Sequence, residues 1–315
     1  MEITDNHLID FIQEKVALSK DKADVYREQV NNLRKRLEAY IKDNPEFDLV
    51  KMLHSGSVQK GTALSNINDM DVAIYMKPEN IECQELLDIL EYVRKALVKV
   101  YEGQMKEEQF TLGTHCVRVN FKGKGLDVDV VPVIYKGKSK DRGDLLNRDS
   151  GEWVETSIPL HLDFIRARKE LYPLFGDLVR MTKWWRNKKD FKFKSFLIEL
   201  IWCHLVDTRS LPKSRIEGFA EFLSYVLRTQ LKERIVFTDY YKLTDVKQDN
   251  VSPIQIYDPV NPENNLGGKL SDQERLKIVN ESQIAFNALS QAVAAYTKGN
   301  AIKNWQKILG SSFSP

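Results

Sequence analysis

Cysteine is scarce in this sequence: only Cys83, Cys116 and Cys203 carry a thiol among 315 residues. An odd number at wide spacing argues against a disulfide framework and against a cysteine-built zinc site. No apolar run approaches the roughly 20 residues that a bilayer-spanning helix needs. The first residues, Met1 to Asn6, lack the basic start and apolar centre of a secretory signal, so the cytoplasm is the expected compartment. An excess of one charge is missing as well. Lys and Arg number 47 against 45 Asp and Glu, a net charge of +2 that advertises no large nucleic-acid surface. There is no internal repeat and no low-complexity tract. What is present, 42% hydrophobic and 29% charged residues, is the composition of a globular protein long enough for two lobes.

One stretch stands apart from that ordinary composition. Between His54 and Tyr75, the pair Gly56-Ser57 precedes Asp69-Met70-Asp71, which opens an apolar run. Alternate residues of a strand share a face, so Asp69 and Asp71 are expected side by side at the mouth of a sheet. Adjacent carboxylates repel unless a cation neutralises them, and oxygen-only ligands suit a hard divalent ion such as Mg2+ or Mn2+. The Gly-Ser turn adds backbone N–H donors and a hydroxyl for phosphate. A second acidic strand follows a turn on Gly123 and Gly125, with Asp127 and Asp129 on one face and Val128 and Val130 on the other. Three carboxylates from two strands can hold two metal ions, one activating an attacking hydroxyl and one steadying a leaving pyrophosphate. That is nucleoside-triphosphate chemistry, worked mostly by positioning and charge neutralisation.

Periodicity predicts helix from about Asp5 to Ile41, broken in two, then a strand through Val50 and Leu53. A short helix is expected to begin near Gln59 and run to Leu64. A long amphipathic helix is expected from Asn80 to Tyr101, with Leu86, Leu90, Val93, Leu97 and Val100 on its buried side. Strands around Thr111 and from Cys116 to Phe121 lead to the Asp129 strand. The Lys-, Gly-, Asp- and Ser-rich stretch from Lys136 to Ser150 reads as a loop dividing a domain of residues 1–150 from a helical one of 151–315. Helices of the second are expected over about 158–171, 174–187, 195–207, 216–230 and 272–298. Of two basic stretches, Arg34-Lys35-Arg36 reads as a solvated helix face. The other, from Lys183 through Arg186, Lys188, Lys189, Lys192 and Lys194, is expected to bind triphosphates in part.

Together, Gly56-Ser57, Asp69-x-Asp71 and the distant Asp129 resemble the signature of the polymerase-beta-like nucleotidyltransferases. Asp129-Val130-Val131-Pro132 is similar to the third-aspartate strand of the oligoadenylate synthases and of the bacterial cGAS/DncV-like nucleotidyltransferases, the CD-NTases. That match selects Asp129 over Asp127 as the third metal ligand. Later passages agree in order. Gly151 to His161 resembles the Trp, Thr, Pro and His passage into the family's helical half, and Leu178 to Trp185 resembles the helix of the triphosphate-binding lysine, here Lys183. Lys194 to Ile201 is similar to the Ser-Tyr-x-x-Glu-Leu helix, here with Ser195 and Phe196, where phenylalanine keeps the stacking face and loses a hydroxyl. Tyr257 to Gly267 resembles the Asp-Pro-x-x-Pro-x-x-Asn motif.

The resemblance implies an α/β (α+β) fold: a nucleotidyltransferase lobe on a mixed sheet, a C-terminal helical lobe, and the active site in the cleft between them. It implies catalytic, metal-binding Asp69, Asp71 and Asp129 holding two Mg2+ or Mn2+ ions. Gly56, Ser57, Lys183 and Ser195 would contact the triphosphate, and Phe196 would stack a base. The implied reaction is attack of a ribose hydroxyl on the α-phosphate of an NTP, with ATP among the substrates. Its product would be a cyclic or short linear oligonucleotide second messenger for anti-phage signalling, with regulatory protein partners. The zinc-bearing insertion by which animal cyclic GMP–AMP synthase reads DNA has no counterpart here, so neither duplex nucleic acid nor membrane is expected as a partner. An RNA 3′-end nucleotidyltransferase of the CCA-adding or poly(A) type would need an extended basic RNA-binding module, and the C-terminal region shows no such surplus. A non-enzymatic sensor would be marked by a lost carboxylate, whereas all three are present.

Overall fold

The computed structural model describes residues 3–44, 49–67, 69–77, 88–122, 125–137, 139–189, 191–247 and 249–315. Contacts divide the chain into two compact units. One comprises Ser19–Gly61 and Ile67–Asp163, the other Met1–Leu18, Thr62–Asn66 and Phe164–Pro315.

The first is a sheet unit. Its strands are β1 (Leu49–Ser55), β2 (Asp69–Met76), β3 (Phe110–Leu112), β4 (Val117–Phe121), β5 (Leu126–Tyr135), β6 (Gly143–Asn147) and β7 (Glu152–Thr156). They form one mixed sheet in the order β1-β2-β5-β4-β3, with β6 pairing the far end of β5 and β7 pairing β6. Among the described strands only β2 and β5 run parallel, with Asp69 opposite Asp127 and Asp71 opposite Asp129. Val72 to Met76 on β2, and Val128, Val130 and Val133 on β5, are buried, as the unbroken apolar runs require of central strands covered on both faces. Paired residues share a face and side chains alternate along each strand, so four carboxylates emerge in two adjacent rows. Helices α2 (Lys20–Asp43) and α4 (Ile89–Val100) pack on the sheet. Ala23, Tyr26, Val30, Leu33 and Leu37 form the buried stripe of α2, and Leu90, Val93 and Leu97 that of α4. Between β1 and β2 lies the five-residue α3 (Gly56–Lys60).

The second unit is helical. It contains α1 (Asp5–Phe11), which continues into a π-helical turn over Ile12–Val16, then most of α5 (Ile158–Leu171), and α6 (Phe175–Asn187), α7 (Ser195–Thr208), α8 (Arg215–Thr229), α9 (Asp272–Val293) and α10 (Lys298–Leu309). Trp185, Trp202, Trp305, Phe175, Phe219 and Phe222 are fully buried at its centre, with Trp202 stacked on Phe222 at 5.3 Å. Burying each such ring stabilises the unit by roughly 1.5–3 kcal/mol. Among the described residues no helix is long and apolar enough to cross a membrane.

Several expectations need correction. The stretch 136–150 is not a boundary loop, because β6 lies within it and extends the sheet through pairing of Asp144 with Ile134. Nor does the chain divide after residue 150. The first 18 residues join the helical unit because Asp5 accepts hydrogen bonds from the backbone and guanidinium of Arg215, and Phe11 meets Trp184 and Phe313 edge-on. The short helix begins at Gly56 rather than Gln59 and stops where Gly61 turns left-handed. The helix expected over 272–298 ends at Val293, and a further helix not foreseen in the sequence runs over Lys298–Leu309. Thr297 starts that further helix, its hydroxyl accepting the Asn300 N–H as an N-cap. Gly123, Cys83, Leu86 and the expected start of the 80–101 helix lie outside the described residues.

Candidate active site

Three strand ends and one tight turn build the acidic cluster of the sheet unit. Ser55, the last residue of β1, pairs with Asp71, so the chain leaves β1 directly over that carboxylate. Gly56 follows with φ of 70°. A Cβ at Gly56 would fall 1.7 Å from Asp71 Oδ2, so the turn can approach the carboxylate only without a side chain. Ser57 follows, half-buried, in the first turn of α3. Asp69 is exposed at the start of β2, Asp71 is half-buried and Asp129 is buried.

This crowding is costly. Burial first, then the nearby Asp69 and Asp129, pushes the Asp71 carboxyl up to about 6. Asp69 is raised too, by burial and then by Asp129. Lys60 and Arg118 relieve Asp71 only in part. Asp127, which parallels Asp69, instead accepts a hydrogen bond from Asn120 Nδ2 at 2.6 Å. Asp69 and Asp71 thus have the chemistry of a hard-cation site: oxygen donors whose ionised forms lack sufficient counter-charge. The third carboxylate is differently placed. Arg118 grips both Asp129 oxygens, Nε and Nη2 each at 2.8 Å. Among the described residues no three Asp, Glu, His or Cys side chains are grouped so as to hold a metal ion.

A pH dependence follows. The folded carboxyl of Asp71 holds its proton more tightly than the ordinary value of 3.8, so its contribution to stability is present below about pH 4 and is lost as pH rises through about 6. In metal-free protein, the urea midpoint of the wild type relative to Asp71→Asn should therefore fall between pH 4 and 7. Mn2+ affinity should weaken by about tenfold per pH unit below about 6, as proton and cation compete. An isothermal titration series at pH 5, 6 and 7.5 checks this; a flat profile would remove Asp71 from the cation site.

The helical unit places its three expected residues in two settings. Lys183 on α6 is 2% exposed. Its ammonium donates to Glu199 Oε1 (2.6 Å) on α7, and to the hydroxyl (3.1 Å) and carbonyl (3.3 Å) oxygens of Thr62. The Thr62 hydroxyl in turn donates to Glu199 Oε1 at 2.7 Å. All three ammonium hydrogens thus have protein acceptors, through which Lys183 anchors Thr62. Ser195 and Phe196 instead lie together in the first turn of α7, Ser195 exposed and Phe196 half-buried. Ser195 does not cap its helix; its Oγ accepts from Arg186 Nη2 at 3.2 Å, and Arg186 also donates to the Phe193 carbonyl. Of the basic stretch, Arg186, Lys189 and Lys192 join Lys277 around an open cavity of about 670 Å³. Lys188 leaves it to lie over the Trp184 ring. The Tyr257–Gly267 motif closes on itself. Asp258 accepts the Val260 N–H, and Asn265 Oδ1 accepts the N–H groups of Ile256 and Gly267.

Arg118, Thr62 and Glu199 escaped the sequence reading, yet two had signals. In a β4–β5 hairpin with Phe121 opposite Leu126, Arg118 must stand opposite Asp129. Glu199 is an acid in the otherwise apolar Leu197-Ile198 to Leu200-Ile201 run, which requires a buried partner. Thr62 carried no such mark.

Comparison with known proteins shows the family. Residues 1–168 match the family model described as Second Messenger Oligonucleotide or Dinucleotide Synthetase domain, SMODS. The chain is 41% identical over 309 residues to a cyclic AMP-AMP-AMP synthase of Escherichia coli (strain MS 115-1), covering 96% of this chain and 95% of that protein. It is 31% identical to the CBASS oligonucleotide cyclase CdnC of E. coli (strain KTE188), across 99% and 98% of the two chains. The solved E. coli MS115-1 CdnC superposes with a TM-score of 0.90 at 40% identity, both with ATP (99% of each chain) and in a HORMA-deltaN complex (100% and 99%). The chain belongs to the SMODS family and is a nucleotidyltransferase of the CD-NTase group.

Proposed function

We propose that this protein joins nucleoside triphosphates, ATP among them, into a cyclic oligonucleotide second messenger with release of pyrophosphate. The observation that carries the reading is Asp71 pressed against the bare backbone of Gly56, with Asp69 and Asp129 near enough to raise its proton affinity. Such a set is built to receive positive charge beside a phosphate-binding turn. Asp69, Asp71 and Asp129 would hold two Mg2+ or Mn2+ ions, whose charge neutralises the triphosphate and eases ionisation of the attacking hydroxyl. The Gly56 and Ser57 N–H groups and the Ser57 hydroxyl orient the triphosphate. A ribose hydroxyl oxygen then bonds to the α-phosphorus as the bond to the bridging oxygen breaks. Pyrophosphate leaves with that electron pair, and the hydroxyl proton passes to solvent. Within the helical unit, Ser195 and Phe196 offer a nucleotide a hydroxyl and an aromatic face, and the Arg186 cavity offers charge for phosphates. Lys183 enters this reading as the anchor of Thr62.

Similarity to a cyclic AMP-AMP-AMP synthase supports adenylate as the monomer and a three-membered ring as the product. Similarity to a CBASS cyclase supports anti-phage signalling in the cytoplasm, and the HORMA-deltaN complex of CdnC supports a HORMA-type regulatory partner. Mass spectrometry tests the reading. Protein with all four NTPs and Mg2+ or Mn2+ should yield a phosphatase-resistant cyclic oligoadenylate that the Asp69→Asn/Asp71→Asn variant does not make. Nucleotide appearing instead on the 3′ end of added tRNA would overturn it in favour of RNA-end addition.

A further inference from the structure

Arg118 is set by the geometry against the acidic cluster. It stands directly opposite Asp129 across the antiparallel β4–β5 ladder. Its Nε and Nη2 reach the two carboxylate oxygens at 2.8 Å each, the parallel two-bond fork that makes an arginine–carboxylate pair both strong and directional. The two side chains differ in freedom. Asp129 is 12% exposed and fixed, whereas Arg118 is 46% exposed, so the guanidinium can swing towards water without opening the core. The fork also lends positive charge to the neighbouring acids, acting to lower the proton affinity of both Asp69 and Asp71.

We propose that Arg118 is a positioning residue that holds Asp129 closed to cations and yields it only as a divalent ion arrives. The proposal rests on the metal-dependent reading given above. Without a cation, the guanidinium supplies counter-charge and keeps Asp129 in one rotamer. A cation drawn to Asp69 and Asp71 competes with the guanidinium for the charge and orientation of the Asp129 carboxylate, and gains it as a third ligand as the fork loosens. Cation binding and release of the fork are therefore linked, and the fork weakens affinity for the ion that uses Asp129. No bond is made or broken; one charge-assisted contact replaces another.

Direct Mn2+ binding, read by electron paramagnetic resonance on nucleotide-free protein, tests this without any activity measurement. The exposed position of Arg118 predicts that its variants fold, and equal thermal midpoints in EDTA check that. Arg118→Ala should bind Mn2+ about tenfold more tightly than the wild type. Arg118→Lys decides between fork and charge: lysine keeps the positive charge but cannot bridge both oxygens. If the fork matters, Arg118→Lys also binds more tightly than the wild type, and Asp129→Asn added to Arg118→Ala cancels the gain. Wild-type affinity in Arg118→Lys would reduce Arg118 to background charge and overturn the proposal. Equal affinity in wild type and Arg118→Ala would overturn it while leaving the metal reading intact. An absence of Mn2+ binding in every variant would remove both.

Discussion

Gly56→Ala is expected to lower the rate of pyrophosphate release by on the order of 100-fold or more, the loss that accompanies a misplacement of about 1 Å among reacting groups. The added Cβ would lie 1.7 Å from Asp71 Oδ2 and 2.6 Å from its Cγ, so either the Gly-Ser turn or the carboxylate must move. Either movement would separate the N–H groups proposed to bind phosphate from the oxygens proposed to bind cations. The left-handed backbone at φ of 70° adds about 1–2 kcal/mol of strain to the folded state. Gly151→Ala separates these effects. Gly151 has φ of 72°, yet nothing lies within 4 Å of a Cβ built there. That variant should lose similar stability and keep its turnover. Should both variants keep turnover, close contact between Gly56 and Asp71 has no catalytic meaning; should both lose it equally, backbone strain alone is responsible.

Why that contact was half legible in the sequence follows from where its parts lie. Strand alternation placed Asp69 beside Asp71 and Asp127 beside Asp129, and the parallel register of β2 and β5 brings the two pairs abreast. The turn at Gly56-Ser57 was visible as a pair of residue types, while its approach to Asp71 depends on how β1 pairs with β2. Amphipathic spacing found α5 to α9, and α5 falls where it was expected. Composition misled between Lys136 and Ser150, because β6 is a short strand in which only Leu145 and Leu146 are apolar, between the turn-forming Gly143, Asp144 and Asn147. The Thr297-Lys-Gly-Asn300 cap lay in plain sight, but the expected helix runs on to Lys298, and the helix that Thr297 opens was not foreseen. Assignment of Asp5 and Phe11 to the helical unit was beyond local reading, since Arg215 and Phe313 stand hundreds of residues away. The partners of Lys183 were likewise beyond local reading, since Glu199 stands on the next helix and Thr62 lies 121 residues away.

Lys183 is consequently the place where stability and catalysis can be told apart. Lys183→Met should cost about 3–5 kcal/mol, because it leaves the Glu199 carboxylate, 2% exposed, without its counter-ion. Urea denaturation read by tryptophan fluorescence checks this. Adding Glu199→Leu should return most of the loss, since an apolar pair of similar volume replaces a buried ion pair at little cost or with a gain. The Thr62 hydroxyl then loses its acceptor at Glu199, and its desolvation keeps roughly 1–3 kcal/mol of the deficit. Turnover in the refolded double variant distinguishes the two roles. An anchor acts through the fold, so a folded Lys183→Met/Glu199→Leu protein should keep its KM for ATP within a few-fold. A lysine that also met the triphosphate would leave that variant folded with a KM raised tenfold or more, since one charge-assisted contact to phosphate is worth about 1.5–3 kcal/mol. The three protein acceptors around the ammonium favour the first outcome.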